Sequence, residues 1–345
     1  MPLIDTLIEK DFLPDSVIRW GIRRLLKQRL ADERPESAAA RFAKDAVAAE
    51  LRTLPVAIET KAANEQHYEV PAAFYKLCLG PRLKYSCCYY ALGNETIGEA
   101  EETMLARTCA RAELRDGLEI LELGCGWGSL TLWMADRYPN ARITAVSNSA
   151  SQRAHIELEC AQRGFKNVRI ITCDMNVFAA EASRFDRVVS VEMFEHMKNW
   201  GELMRRIAGW LKPGGKLFFH VFTHKDIAYH FAAKDGTDWM SRHFFTGGIM
   251  PSNCLASRFQ DDLKLEQQWE VEGRHYGQTS EHWLQNTDRH REEVLRIFAR
   301  TYGPERAKAW LANWRVFFMA CAELWNFRGG AEWMVCHYRF AKRAG

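Results

Sequence analysis

The spacing of apolar positions changes near residue 115. Before it, apolar residues recur with a helical period. Pro14-Asp15-Ser16 opens a stretch in which Val17, Ile18, Gly21, Ile22, Leu25, Leu26 and Leu30 share one side. Arg19, Arg23, Arg24, Lys27 and Arg29 occupy the other. The pattern predicts a surface helix packed on the core with a solvated basic face. It also allows transient contact with anionic lipid. Further helices are expected over 38–54, ahead of a His67-Tyr68 segment, and over 97–113.

From residue 118 short apolar runs alternate with helical stretches. Runs at 118–123, 142–146, 168–172, 187–191 and 216–222 read as strands buried on both faces. Helical patterns at 129–137, 151–163 and 200–211 separate them. Such alternation predicts an α/β protein with a doubly wound, mostly parallel sheet. A helix and a loop rich in aromatics and glycine should follow residue 222. A strand at 263–272, helices across 280–325 and a last strand at 333–340 would complete seven strands. Two regions are expected: a helical cap over 1–115, and a sheet domain over 116–345 with helical insertions at about 223–262 and 279–328.

Composition narrows the function. Of 345 residues, 47% are hydrophobic and 26% charged, which excludes wholesale disorder. A net charge of +3 is too small for a protein that lives on neutralising nucleic-acid phosphates. No apolar run is long enough to span a membrane. Asp5, Glu9, Asp11 and Asp15 interrupt any leader-like stretch. The ten cysteines form no CxxC pair, so reduced thiols in a cytoplasmic setting are expected. His220, His224 and His230 are too irregularly spaced for a zinc site, and no metal is expected.

The first sheet strand runs into Glu122-Leu123-Gly124-Cys125-Gly126-Trp127-Gly128. Glycines there permit a tight turn and close ligand approach, and the next helix offers its N-terminal N–H groups. The G-x-G-x-G spacing departs from the dinucleotide fingerprint. The second strand also ends in Ser147-Asn148-Ser149, not in the carboxylate that would hold a nicotinamide ribose, which makes NAD the secondary reading.

Together with Asp174-Met175-Asn176 after the third strand, these features resemble the S-adenosylmethionine site of class I methyltransferases. The resemblance places Gly124 and Gly126 at the methionine moiety, Ser147 and Asn148 at the ribose, and Asp174, Met175 and Asn176 at the adenine. His67-Tyr68, Phe74-Tyr75, Tyr85-Ser86-Cys87 and Phe194-Glu195-His196 are similar to the cyclopropane fatty-acyl-phospholipid synthase superfamily. Tyr85, Ser86 and Gln152 then fall at the cofactor. Residues 86–90, 192–200, 259–262 and 313–315 most resemble its coclaurine N-methyltransferase branch.

The fourth strand ends in Glu192-Met193-Phe194-Glu195-His196. In a helical turn, Glu192, Glu195 and His196 would share one face. An alkylammonium must lose a proton before it can attack a methyl group, and both residue types can accept one. The branch resemblance therefore implies N-methylation of a small aromatic or alkaloid-like amine. Tyr85, Tyr89, Trp239, Phe244, Phe245, Trp314 and Phe317 are candidates to face a cationic acceptor, with Trp314 and Phe317 matching the acceptor region of the branch. The superfamily resemblance also implies a rival: methyl or methylene transfer to an unsaturated lipid acyl chain with a bound bicarbonate. Its ligands would be Cys87, Glu195, His220 and Tyr276, but Glu192 stands where those synthases carry glycine. The acceptor, amine or lipid, stays open at this point, as does assembly into a homodimer.

Overall fold

The computed structural model describes residues 3–10, 12–33, 40–58, 70–231 and 247–343. Strands β1 (Glu119–Leu123), β2 (Arg142–Ser147), β3 (Val168–Thr172), β4 (Phe185–Val191) and β5 (Leu211–His224) run parallel. A separate ribbon pairs β6 (Tyr229–His230) with β7 (Ile249–Met250). Strands β8 (Leu263–Val271) and β9 (Trp333–Lys342) complete a seven-stranded sheet of order β3-β2-β1-β4-β5-β9-β8. Only β9 opposes its neighbours. Ile120, Leu121 and Leu123 of β1 are fully buried, as expected for a strand covered on both faces. The chain winds to one side of β1 through β2 and β3, then returns to its other side with β4. That reversal opens a crevice at the carboxyl ends of β1 and β4.

Helices α1 (Leu3–Glu9), α2 (Asp15–Glu33), α3 (Ala40–Leu51), α4 (Ala72–Cys78) and α5 (Ile97–Arg111) precede the sheet. The start of α5 is fixed by a capping box between Thr96 and Glu99. Helices α6 (Ser129–Arg137), α7 (Ala150–Arg163) and α8 (Trp200–Trp210) connect the parallel strands. Helices α9 (Gly273–Arg289), α10 (Arg291–Tyr302) and α11 (Ala307–Trp325) lie between β8 and β9. Phe74 and Tyr75 of α4 share one core with Trp283 of α9, Phe298 of α10 and Trp314 of α11. Both ends of the chain thus build the cover of the crevice.

Three expectations change. In α2, Arg19 bonds Glu281 and Glu323, and Arg23 bonds Glu323, so part of the basic face is spent inside the molecule. Val17 and Leu25 are 47% and 69% exposed, because α2 is oriented by these ion pairs as well as by its apolar residues. Residues 223–231 hold the end of β5 and strand β6 instead of a helix. His67, Tyr68, Trp239, Phe244 and Phe245 lie outside the described residues.

Candidate active site

The glycine loop leaves β1 directly into α6. Gly124 and Gly126 have φ of +77° and +52°. A Cβ on Gly124 would come within 2.8 Å of the Met193 side chain, whereas one on Gly126 would enter open space. That space is the crevice. It holds a cavity of about 190 Å³ under the helical cover and a second of about 90 Å³ beside β2 and β3. Gly124, Gly126, Gln152, Glu192 and His196 line both, so the two are halves of one cleft.

In the smaller half, Ser147 Oγ donates to Gln152 Oε1 at 2.6 Å and accepts from the Ser149 N–H at 3.1 Å. This leaves Gln152 Nε2 buried, with no partner among the described residues. An unmet donor of this kind costs about 1–3 kcal/mol, so it marks a place for a ligand acceptor. Asn148 and Met175 also line this half. Asp174 and Asn176 do not. The Asp174 carboxylate accepts from the Asn176 N–H at 2.7 Å, and the Asn176 amide pairs with both backbone groups of Ala57 at 2.9 and 3.0 Å. Asn176 therefore anchors the segment before the cover instead of reaching a ligand.

Glu192 ends β4 in the left-handed region, at φ +48°. A side chain there costs about 1 kcal/mol or more, and glycine would take the same conformation freely. The carboxylate is held by three donors. The Cys87 N–H and His220 Nε2 reach Oε1 at 3.0 and 3.1 Å, and the Tyr276 hydroxyl reaches Oε2 at 2.6 Å. Burial raises the Glu192 pKa, while nearby Lys84, the Tyr276 hydrogen bond and the Cys87 N–H oppose that rise. Glu195 lies in a single 3₁₀ turn, Phe194–His196, and is 1% exposed. Neither of its oxygens has a partner among the described residues. Burial, then the charge of Glu192, pushes its pKa far up. The donors favour Glu192 as the charged member of the pair and Glu195 as the protonated one. His196 lines the cleft beside them.

Of the aromatic candidates, Tyr85 and Phe317 line the larger cavity. Trp314 does not. It is wholly buried against Phe74 and Phe318, at ring distances of 4.8 and 5.5 Å. Tyr89 is stacked on His275 at 4.2 Å, under the Arg107 guanidinium. Sequence reasoning missed the wall formed by Trp325, whose ring stacks on Tyr276 at 4.7 Å, and by Trp283 and Phe222. It also missed Lys84, which lines the cavity, is 2% exposed and donates to Ser86 Oγ at 2.5 Å. An isolated lysine beside Tyr85-Ser86 carries no periodic signal. Glu101 holds its segment by accepting the N–H groups of Arg82 and Lys84 at 2.8 and 3.1 Å.

The groups expected to hold bicarbonate have different roles here. Cys87 is fully buried and contributes its backbone N–H to Glu192, while burial pushes its thiol well up and keeps it protonated. His220 and Tyr276 are likewise occupied by the Glu192 carboxylate.

The sheet order, the glycine loop at the reversal point and the polar end of β2 define the class I methyltransferase fold. The mycolic acid cyclopropane synthetase family matches residues 57–331, and the chain belongs to that family. It is 39% identical over 297 residues to (S)-coclaurine N-methyltransferase of Thalictrum flavum subsp. glaucum, covering 85% of this chain and 82% of that one. It is 34% identical over 341 residues to (S)-coclaurine N-methyltransferase of Papaver somniferum, covering 97% of each. A crystal structure of coclaurine N-methyltransferase bound to N-methylheliamine and SAH superposes with a TM-score of 0.95 at 35% identity, covering 98% of this chain and 99% of that one.

Proposed function

We propose that the protein transfers a methyl group from S-adenosylmethionine to the nitrogen of a small aromatic or alkaloid-like amine. The observation that carries this reading is the Glu192 carboxylate, held by three donors at the wall of a cleft that begins at the glycine loop. When bound, S-adenosylmethionine supplies a methyl group already activated on a sulfonium. The open space at Gly126 and the unmet Gln152 donor fit that cofactor, with Tyr85, Ser86, Gly124, Ser147 and Asn148 around it. Glu192 attracts the cationic acceptor and takes its proton, and His196 stands within the same cleft to assist. Neutral Glu195 has a hydroxyl free to orient the amine. Tyr276, Trp325 and Phe317 offer ring faces to the cation.

Bicarbonate does not fit this arrangement. The side chains of His220 and Tyr276 and the N–H of Cys87 already meet a carboxylate, that of Glu192. A second anion there would face like charge. Among the described residues no helix is long and apolar enough to cross a membrane. All ten cysteines are unpaired, in keeping with a reducing compartment such as the cytoplasm.

Calorimetry with S-adenosylhomocysteine tests the cofactor assignment. Gly126→Val puts a branched side chain into the cleft at φ +52° and should abolish binding. Unchanged affinity would remove the cofactor from this crevice.

A further inference from the structure

The hydrogen bonds to Glu192 do not stop at the cleft wall. His220 and His337 face each other in register across β5 and β9, and His337 Nε2 lies 3.0 Å from His220 Nδ1. Behind them, Arg111 Nη1 lies 2.9 Å from His337 Nδ1, at the last residue of α5. The chain has one sense only. A guanidinium can donate but not accept, so His337 Nδ1 accepts and its proton sits on Nε2. That proton is donated to His220 Nδ1, which puts the His220 proton on Nε2, facing Glu192. Every link points toward the carboxylate, and a fixed cation stands at the far end.

Both rings are fully buried. Burial, reinforced by neighbouring cations, holds them well below the usual imidazole range, so they are neutral. Burial and Arg107 lower Arg111 to about 10, where it remains a cation at neutral pH. Trp269 of β8 covers the guanidinium at 5.0 Å. The other charged or titratable groups around Glu192 are Lys84, Cys87 and Cys88 from the segment before α5, Glu195 and His196 from its own turn, and Tyr276 and Cys321 from the cover. Around His337 they are Lys84, Arg107 and Arg111.

We propose that Arg111, His337 and His220 form a one-directional relay that keeps the Glu192 carboxylate ionised and oriented toward the acceptor's proton. The proposal rests on the reading of Glu192 as the base. None of the three reaches the cleft; they act through Glu192 as positioning residues. The relay gives β5 and β9 two buried histidines whose polar atoms are all used, with no water or ligand needed. Without the Arg111 end, His220 has no fixed tautomer and can turn a lone pair toward the carboxylate.

The test is the pH profile of kcat/KM with one amine acceptor, so that the acceptor's own titration cancels between variants. Arg111→Met and His337→Leu should raise the pKa of Glu192 and move the acid limb up by about half to one pH unit. Below that limb, this is a loss of roughly three- to tenfold, closing at high pH. Arg111→Lys keeps the cation and should restore most of the profile. His337→Gln keeps one acceptor and one donor and should do the same. A loss by one constant factor at every pH, or failure of Lys and Gln to do better than Met and Leu, would overturn the relay. Should His337→Leu fail to fold, the partly exposed Arg111 pair decides the matter alone. Glu192→Gln separates the two ideas: if it is impaired while the relay variants behave as wild type, the relay is wrong and the base stands. If it is unimpaired, the base itself is wrong.

Discussion

Glu192→Gln removes charge and basicity while barely disturbing packing. In the native site Oε1 accepts from the Cys87 N–H and His220 Nε2, and Oε2 accepts from the Tyr276 hydroxyl. A glutamine can keep its oxygen on the first two donors. Its amide nitrogen then faces Tyr276, whose hydroxyl can rotate and accept. The Tyr276 O–H then loses its acceptor, so stability should fall by about 1–3 kcal/mol. Loss of an acid–base group typically costs two to four powers of ten in rate, or about 3–5 kcal/mol of barrier. Steady-state assays with an amine acceptor from pH 6 to 10 should show that loss at low pH. It should shrink as pH rises, because more of the amine then arrives neutral. Affinity for S-adenosylhomocysteine should hold, since Gly126 and Gln152 are untouched. A companion, Glu192→Gly, relaxes a backbone held at φ +48° but leaves three donors facing a void. Formate or acetate should fill that void and restore part of the rate. Near-normal turnover of Glu192→Gln at every pH would refute the reasoning.

The remaining expectations are more local. Added bicarbonate should leave the wild-type rate unchanged, and it should not rescue Tyr276→Phe; a clear dependence in steady-state assays would favour acyl-chain chemistry. Trp314→Ala should cost about 3–5 kcal/mol in denaturant unfolding, as a large core truncation does, while Phe317→Ala should mainly raise the KM for the acceptor. Burial lifts Glu122 to about 8 against its bond from Thr131. A carboxyl raised in the fold stabilises below its unfolded pKa, and that contribution is lost as pH climbs toward 8. Unfolding measured at pH 5 and pH 8 should therefore show a loss of stability that Glu122→Gln flattens.

Much of the sheet was legible because each parallel strand is buried on both faces and reads as an uninterrupted apolar run. Strand β5 is longer than its apolar run, since Leu211–Lys216 pairs at the edge of β4 through Pro213 and two glycines that look like a turn. The helix expected after residue 222 is absent from 223–231 because β5 continues to His224 opposite β9. The glycine loop and Glu192-x-x-Glu195-His196 were visible as motifs. Their electrostatic division was not, because it depends on donors from distant segments, one of them the backbone of Cys87. Trp314 and Phe317 lie on one helix three residues apart, yet only Phe317 reaches the cavity; helical spacing alone cannot tell a core-facing ring from one at its margin. The resemblance sets Asn176 at the adenine, but Ala57, far away in sequence, claims both ends of its amide.

The most direct measurement incubates the purified protein with methyl-labelled S-adenosylmethionine, a coclaurine-type secondary amine and vesicles of unsaturated phospholipid in one vessel. Mass spectrometry of both fractions then locates the label. The donor-held Glu192 carboxylate beside an aromatic-walled cleft predicts label on the amine nitrogen, with the lipid acyl chains unchanged. Label in the acyl chains, with the amine unmodified, would contradict the account.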